Sequence, residues 1–236
     1  MHSTSVDPKV FDYRAIRMLV GIIAIALPWL VEFGNGPDSL NSISASYWEG
    51  GAVRNIFVGS LFAIAAFLFA YQGKDLVDAV LSKLSSVAAI AVAMFPTSRP
   101  CPHSDQQAEA CRRSCDALVQ THCEQTAEMF QTHEIAAIAL FLMLAYIVFA
   151  SFLKPTWGNT GKRQVRAYIY AATVLAVIGS IVAGVGVGLL RDPDQLRSDF
   201  IYWAEFVALH AIGAAWLVSG KFSRLIADDG ERLRIL

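Results

Sequence analysis

Charged residues are scarce in this chain: 17% of its 236 residues are Asp, Glu, Lys or Arg, whereas 55% are hydrophobic. An ordinary soluble domain carries about 25% charged residues, so this composition excludes a soluble globular protein. An excess of one sign of charge is also missing, because the net charge is −1. A basic nucleic-acid-binding surface and the high net charge of a disordered chain are therefore excluded, and an integral membrane protein remains.

Long apolar runs account for this composition. A helix needs about 20 mostly apolar residues to cross the hydrocarbon core of a bilayer. The runs lack the strict alternation of apolar and polar residues that barrel strands require, so we predict helices. The expected fold class is all-α: a polytopic membrane protein in which residues 1–236 form a single transmembrane helical domain. The six predicted spans are residues 15–33, 53–71, 77–95, 135–153, 167–190 and 200–219.

The basic residues predict the orientation of this bundle. If the N-terminus is cytoplasmic, all but six of the 19 Lys and Arg residues lie on the inner side, in agreement with the positive-inside rule. Both termini are then cytoplasmic, and we expect the protein in the plasma (inner) membrane. The basic residues left outside are Arg54, Arg99, Arg112, Arg113, Arg191 and Arg197.

Cysteine occurs only four times, always within residues 96–132, a loop that this orientation places outside the membrane. The extracytoplasmic compartment is oxidising, so disulfides are the preferred interpretation, and four cysteines allow three pairings. The alternative is a metal site that also uses His103 and His122, but the paired C-x2-C knuckles of structural zinc sites are missing. We expect the loop to be partly helical. The four residues are Cys101, Cys111, Cys115 and Cys123.

Ionisable residues at membrane depth are costly, so each one points to a partner or a function. With a helical rise of about 1.5 Å per residue, Glu205 lies about 8 Å and His210 about 15 Å below the outer end of the last span. Other polar groups converge on the same boundary and predict an outward-facing polar cavity. The competing interpretation is that they only cap helix ends. The expected ligand-binding residues are Ser44, Tyr47, Arg54, Asn55, His133, Glu205 and His210.

Arg54 allows a sharper prediction. A guanidinium group at the membrane boundary is unfavourable without a counter-charge, so we expect it to pair first with Glu205 and otherwise with Glu32 or Glu49. On the cytoplasmic side, the sequence shows no comparable set of polar groups.

Small residues recur at every fourth position in the fifth span, at Ser180, Gly184 and Gly188. This spacing lets a neighbouring helix backbone approach closely. We expect packing within the bundle, and the alternative is a contact with a partner protein or with a second copy in a homodimer.

Several short segments resemble a group of uncharacterised bacterial six-helix membrane proteins, distantly similar to the DUF998 and Frag1/DRAM/Sfk1 type. The resemblance covers most of the membrane region. It implies a six-helix membrane fold without an established activity, and it favours a lipid ligand because some members of the wider group are associated with lipid or lipid-anchor handling. The segments are Ser42–Tyr47, Arg54–Gly59, Phe67–Tyr71, Ala93–Thr97, His133, Tyr202–Glu205 and Trp216–Lys221.

Non-catalytic binding of a membrane lipid or a partner protein is the function that these features favour, without a cofactor. One alternative is an intramembrane lipid hydrolase with a metal ion held by His133, Glu205 and His210. In a metal-free version, Ser44 is the nucleophile and His133 the base, with Glu205 orienting the base. A metal-binding signature such as HExxH is absent. An accessory subunit of a larger membrane complex is a further alternative. A transporter is disfavoured because inverted repeats are not evident.

Overall fold

The structure is a computed structural model that describes residues 13–35, 42–97, 120–190 and 199–221. Every regular element in these ranges is helical, which confirms the predicted all-α fold class. A π-helical segment, Val148–Leu153, joins the fifth helix to the sixth. The helices are α1 Tyr13–Asn35, α2 Ser46–Glu49, α3 Gly51–Ala70, α4 Leu76–Met94, α5 Gln120–Ile147, α6 Lys154–Thr156, α7 Lys162–Leu190 and α8 Asp199–Ser219.

Six helical stretches within the described ranges are long and apolar enough to cross a membrane, so the chain is a multi-pass membrane protein. Each stretch overlaps one predicted span, and the differences lie at the ends. The fifth of these stretches, in α7, begins at Lys162 instead of the predicted residue 167. Hydropathy cannot place such an end, because a helix continues into basic residues whose long stems reach the interface.

The six long helices form a closed ring in chain order. Each packs against the long helix that follows it in sequence, and α8 returns to pack against α1. Since successive long helices are spatial neighbours, the ends of these helices border both openings of the ring. The interior of the ring is where a ligand site would lie.

Glycines in α1 and α8 let these two helices pack closely. A Cβ atom built on Gly213 would lie 2.9 Å from the carbonyl oxygen of Gly21 and 2.5 Å from Cγ1 of Ile25. By contrast, a Cβ atom on Gly184 would meet no other atom within 4 Å. The close approach within the bundle that was expected at Gly184 is therefore not made there, and the partner contact through Ser180, Gly184 and Gly188 stays a prediction.

The two ends of the bundle differ in charge. We call one the acidic end, because Glu32, Glu49, Glu134 and Glu205 lie there, and the other the basic end, because it carries Arg14, Arg17, Lys74, Lys154, Arg166 and Lys221. Between them the core is apolar and contains two clusters of buried side chains. Trp216 and Tyr71 are the largest fully buried side chains, and both belong to the cluster nearer the basic end.

Candidate functional site

A buried turn closes the interior of the ring at the acidic end. It comprises residues 42–46, all of which are buried. Its backbone is satisfied locally: the amide of Ala45 donates to the carbonyl oxygen of Ser42 at 3.2 Å, and the amide of Ser46 donates to that of Ile43 at 3.2 Å. Irregular backbone at membrane depth is stable only where protein surrounds it, which is the situation of this turn.

Glu205 of α8 anchors the buried turn. Its Oε2 atom accepts the amide of Ile43 at 2.5 Å and that of Ser44 at 3.3 Å, while its Oε1 atom accepts the Ser44 hydroxyl at 2.7 Å. The first amides of a helical turn have no partner within the turn, and a carboxylate there also complements the helix dipole. Glu205 therefore does for this turn what a capping residue does for a helix.

The predicted ion pair between Arg54 and Glu205 is wrong. Arg54 is exposed and donates to the Tyr47 hydroxyl at 2.8 Å, and its guanidinium carbon lies 4.3 Å from the centre of the Tyr47 ring. Glu205 is occupied by the buried turn instead. The prediction assumed that each charged group needs a partner of opposite charge. Instead, an aromatic ring and a hydroxyl stabilise the Arg54 guanidinium, and backbone amides stabilise the Glu205 carboxylate.

A second acidic side chain, Glu32 of α1, lies beside Tyr202 of α8, with which it shares a hydrogen bond. Its Oε2 atom is buried and has no partner. Tyr202 also feels the charge of Glu205. The acidic end thus brings two glutamates into one neighbourhood.

His210 of α8 is held by two hydrogen bonds, one to α1 and one within α8. Trp29 Nε1 donates to His210 Nε2 at 2.9 Å, so the proton of the neutral ring is on Nδ1, which donates to the carbonyl oxygen of Phe206 at 2.8 Å. The ring also stacks on Phe206, with 3.9 Å between the ring centres. Both nitrogens are used, which leaves no lone pair for a ligand.

His133 performs a structural task at the start of its span. Its side chain is buried, and Nδ1 donates to the carbonyl oxygen of Phe95 at 2.7 Å. Phe95 follows the last residue of α4, where carbonyl groups lack partners within the helix. The bond therefore joins the end of α4 to α5.

These contacts do not assemble either of the predicted catalytic arrangements. Within the described ranges, no three His, Cys, Asp or Glu side chains are grouped in a way that would hold a metal ion. Ser44 bonds Glu205 directly, without His133 between them. Of the remaining predicted residues, Asn55 is exposed. Cys101, Cys111 and Cys115 lie outside the described residues, and of Cys123 only the backbone, in α5, is described.

A cavity of about 60 Å³ lies inside the ring below the buried turn. Its wall is apolar except at the acidic end, where Ser44 and Glu205 contribute. The expected polar cavity is thus an apolar one with a polar end, because the polar groups are turned toward one another. Residues seven positions apart on α1 and α8 line it, which gives it a length of about 10 Å. The lining includes Val20, Leu27, Ile43, Ser44, Leu61, Leu144, Glu205 and Ile212.

The basic end carries a buried polar network, although the sequence predicts no comparable set of polar groups there. Asp78 is 1% exposed, and its Oδ2 accepts the Lys74 amide at 3.3 Å and the hydroxyl of Ser151 in the π-helical segment. Lys74 Nζ donates to the carbonyl oxygen of Ser151. Burial is the main cause that lowers the pKa of Lys74 from its ordinary value.

The start of α4 contained a signal for this network. Asp75 accepts the amide of Asp78 at 2.9 Å, and Asp78 reaches back to the amide of Lys74. An acidic residue three positions after an N-cap residue is the spacing of a capping box. The part that sequence does not reveal is Ser151, which is distant in the chain.

The chain matches no family model, no curated protein and no solved structure. The resemblance to the DUF998 and Frag1/DRAM/Sfk1 type of protein therefore stays a prediction. The site must be interpreted from its own geometry.

Proposed function

We propose that this multi-pass membrane protein is a non-catalytic binding protein for a membrane lipid, and that the cavity inside the ring receives an apolar chain of that lipid. The single observation that carries the proposal is the cavity itself, an apolar space with one polar end at Ser44 and Glu205. A void of this kind stays dry and takes up apolar groups, since water needs several polar partners.

The chemistry of the two ends supports an amphipathic ligand. The wall from Val20 to Ile212 offers only dispersion contacts. At the acidic end, Glu32 Oε2 is a buried acceptor without a partner, in the same neighbourhood as Glu205. A bound molecule with an apolar chain and a polar head suits both features.

Filling the cavity tests this proposal. Ala137 of α5 lines the cavity, and Ala137→Leu would place a larger side chain in it. Ala66 of α3 is exposed on the outside of the bundle, so Ala66→Leu is the matched control. We expect the purified wild-type protein and Ala66→Leu to retain a lipid in native mass spectrometry, and Ala137→Leu to lose it.

Two results would contradict lipid binding in the cavity. One is wild-type protein that carries no lipid after purification from native membranes in mild detergent. The other is equal retention by Ala137→Leu and Ala66→Leu, because the lipid would then lie outside the ring. Gel filtration of both variants checks that each is folded.

We also propose that the basic end faces the cytoplasm, that both termini are cytoplasmic, and that the protein resides in the plasma membrane. The support is the excess of Lys and Arg over Asp and Glu at the basic end among the described residues, which agrees with the positive-inside rule. A reporter enzyme that is active only in the cytoplasm, fused after Leu236, should be active. If instead only a reporter that requires export is active at this position, the proposed orientation is wrong.

A further inference from the structure

Four side chains form a guanidinium cluster inside the basic end: Arg17 of α1, Tyr71 after α3, Phe152 of the π-helical segment and Trp216 of α8. The guanidinium carbon lies 5.2 Å from the centre of the Tyr71 ring and 5.1 Å from that of Phe152. The Trp216 ring is 5.5 Å from Tyr71 and 6.0 Å from Phe152, centre to centre. Two aromatic rings thus face the cation, and the third packs against both of them.

The hydrogen bonds of this cluster are incomplete, and what is missing is an acceptor. Arg17 donates to the Tyr71 hydroxyl at 2.9 Å and to the carbonyl oxygen of Ser219 at 3.4 Å, but its buried Nε atom has no partner. Trp216 is fully buried, and its Nε1 atom also has no partner. The Tyr71 hydroxyl accepts from Arg17, and its own proton has no acceptor among the described residues.

Among the residues that the structure describes, no carboxylate compensates the charge of the cluster. Arg17 forms no ion pair with any carboxylate in the described part of the chain. The two acidic groups nearby, Asp75 and Asp78, are committed to the start of α4 and to Ser151. Lys74 adds positive charge nearby, since it feels the charge of Arg17.

We propose that the guanidinium cluster binds an oxyanion of the phosphate type, as carried by the headgroup of an anionic lipid. Three donors that lack acceptors require a group with several lone pairs, and a phosphate supplies them together with the missing negative charge. Arg17 lies three residues from the start of its span, about 5 Å inside the helix end, near the level of lipid phosphates. This site is separate from the cavity at Glu205 and does not depend on it.

The first experiment uses lipid selectivity. The full chain is reconstituted in phosphatidylcholine vesicles with a minor fraction of phosphatidylglycerol and extracted in mild detergent, and the bound lipids are identified by native mass spectrometry. We expect the wild type to retain phosphatidylglycerol. Arg17→Gln should lower that retention roughly tenfold and Trp216→Phe about fivefold, corresponding to the loss of a charge-assisted and of a neutral hydrogen bond.

The matched control is Lys154→Gln. Lys154 is an exposed cation at the same end of the bundle, so the variant removes the same charge without touching the cluster. It should retain phosphatidylglycerol as the wild type does. If Lys154→Gln and Arg17→Gln lose the lipid equally, the attraction is a general effect of the basic end and the proposal is wrong.

A second experiment distinguishes binding of a lipid headgroup from binding of free phosphate. The delipidated wild-type protein in detergent is titrated with inorganic phosphate at constant ionic strength while its unfolding temperature is followed. If phosphate raises the unfolding temperature of the wild type but not of Arg17→Gln, and the wild type does not select phosphatidylglycerol, the site binds free phosphate. If wild-type protein neither selects the lipid nor responds to phosphate, a buried water completes the hydrogen bonds and the proposal is overturned, even if the variants do not fold.

Discussion

The hydroxyl of Ser44 donates to the carboxylate of Glu205 at 2.7 Å, across 161 residues of the chain. The same carboxylate accepts the backbone amide of Ile43. A single glutamate in the last span thus holds the turn that closes the ring between the first and second spans. Glu205, an acidic residue at membrane depth, therefore serves as a hydrogen-bond acceptor for backbone amides.

Removing the Glu205 carboxylate should destabilise the protein through the buried turn. Glu205→Ala leaves the amides of Ile43 and Ser44 buried without acceptors, which we expect to cost about 2–4 kcal/mol in the free energy of unfolding. Thermal unfolding in detergent measures the loss. Glu134→Ala is the control, because Glu134 is an exposed glutamate at the same end, and it should leave the unfolding temperature nearly unchanged. Equal losses would show that the turn does not depend on Glu205.

The glycine contact between α1 and α8 should not tolerate a side chain. Gly213→Leu brings atoms against Ile25 and the backbone of Gly21, and we expect the strain to cost about 1–3 kcal/mol or more. Gly184→Leu makes the same substitution where there is open space. Chemical unfolding of the two variants in the same detergent should therefore show a clearly lower free energy of unfolding for Gly213→Leu than for Gly184→Leu. A Gly184→Leu protein as unstable as Gly213→Leu would refute the helix order described above.

Asp78 and Ser151 should be energetically coupled across the basic end. We expect a double-mutant cycle of Asp78→Ala and Ser151→Ala to give an interaction of about 0.5–3 kcal/mol, because the two side chains share a buried hydrogen bond. Combining Asp78→Ala with Ser180→Ala, on α7, supplies the control cycle, which should be additive. Additivity in both cycles would mean that the π-helical segment is held without this bond.

Lys74 should make stability depend on alkaline pH. Burial, and in addition the charge of Arg17, lowers the pKa of Lys74 from its ordinary value of 10.5. The folded protein therefore binds fewer protons at this site than the unfolded chain does between the two pKa values, and stability rises with pH in that window. At neutral pH the charged Lys74 opposes folding.

The variant Lys74→Met removes this dependence. Across about pH 7 to pH 10, the wild type should gain stability relative to Lys74→Met, as followed by thermal unfolding in detergent. Lys154→Met alters an exposed lysine instead and should keep the pH dependence of the wild type. Parallel curves for the wild type and Lys74→Met would remove Lys74 as the cause.

The helical architecture was predictable because it depends on composition summed over long windows. Helix α8 illustrates this: residues 200–219 are predicted from hydropathy, and the structure has Asp199–Ser219. Lipid offers no hydrogen-bond partners, so an apolar run of this length has little choice but to form a helix. Errors of a few residues, as at Lys162, arise where basic side chains let the helix extend beyond the apolar run.

The polar contacts were not predictable in the same way. Glu205 and Ser44 are both predicted as site residues, but their direct bond requires two segments that are 161 residues apart in the chain to meet. Charge alone predicts a carboxylate partner for Arg54, whereas in the structure Arg54 contacts the hydroxyl and the ring of Tyr47 on the preceding short helix. Which partner a polar group finds depends on distances that hydropathy does not contain.

The basic end shows most clearly which features are predictable from the sequence and which depend on the tertiary structure. From the sequence, Arg17 and Lys74 are two of many basic residues at helix ends, and Trp216 is one apolar residue in an apolar helix. The closed ring brings Arg17 and Trp216 together with Tyr71 and Phe152, and it leaves donors without acceptors. Composition determines that the chain enters the membrane as six helices, since each span satisfies its own backbone. The sites arise from packing between spans, because a buried polar side chain can be satisfied only by groups from other helices.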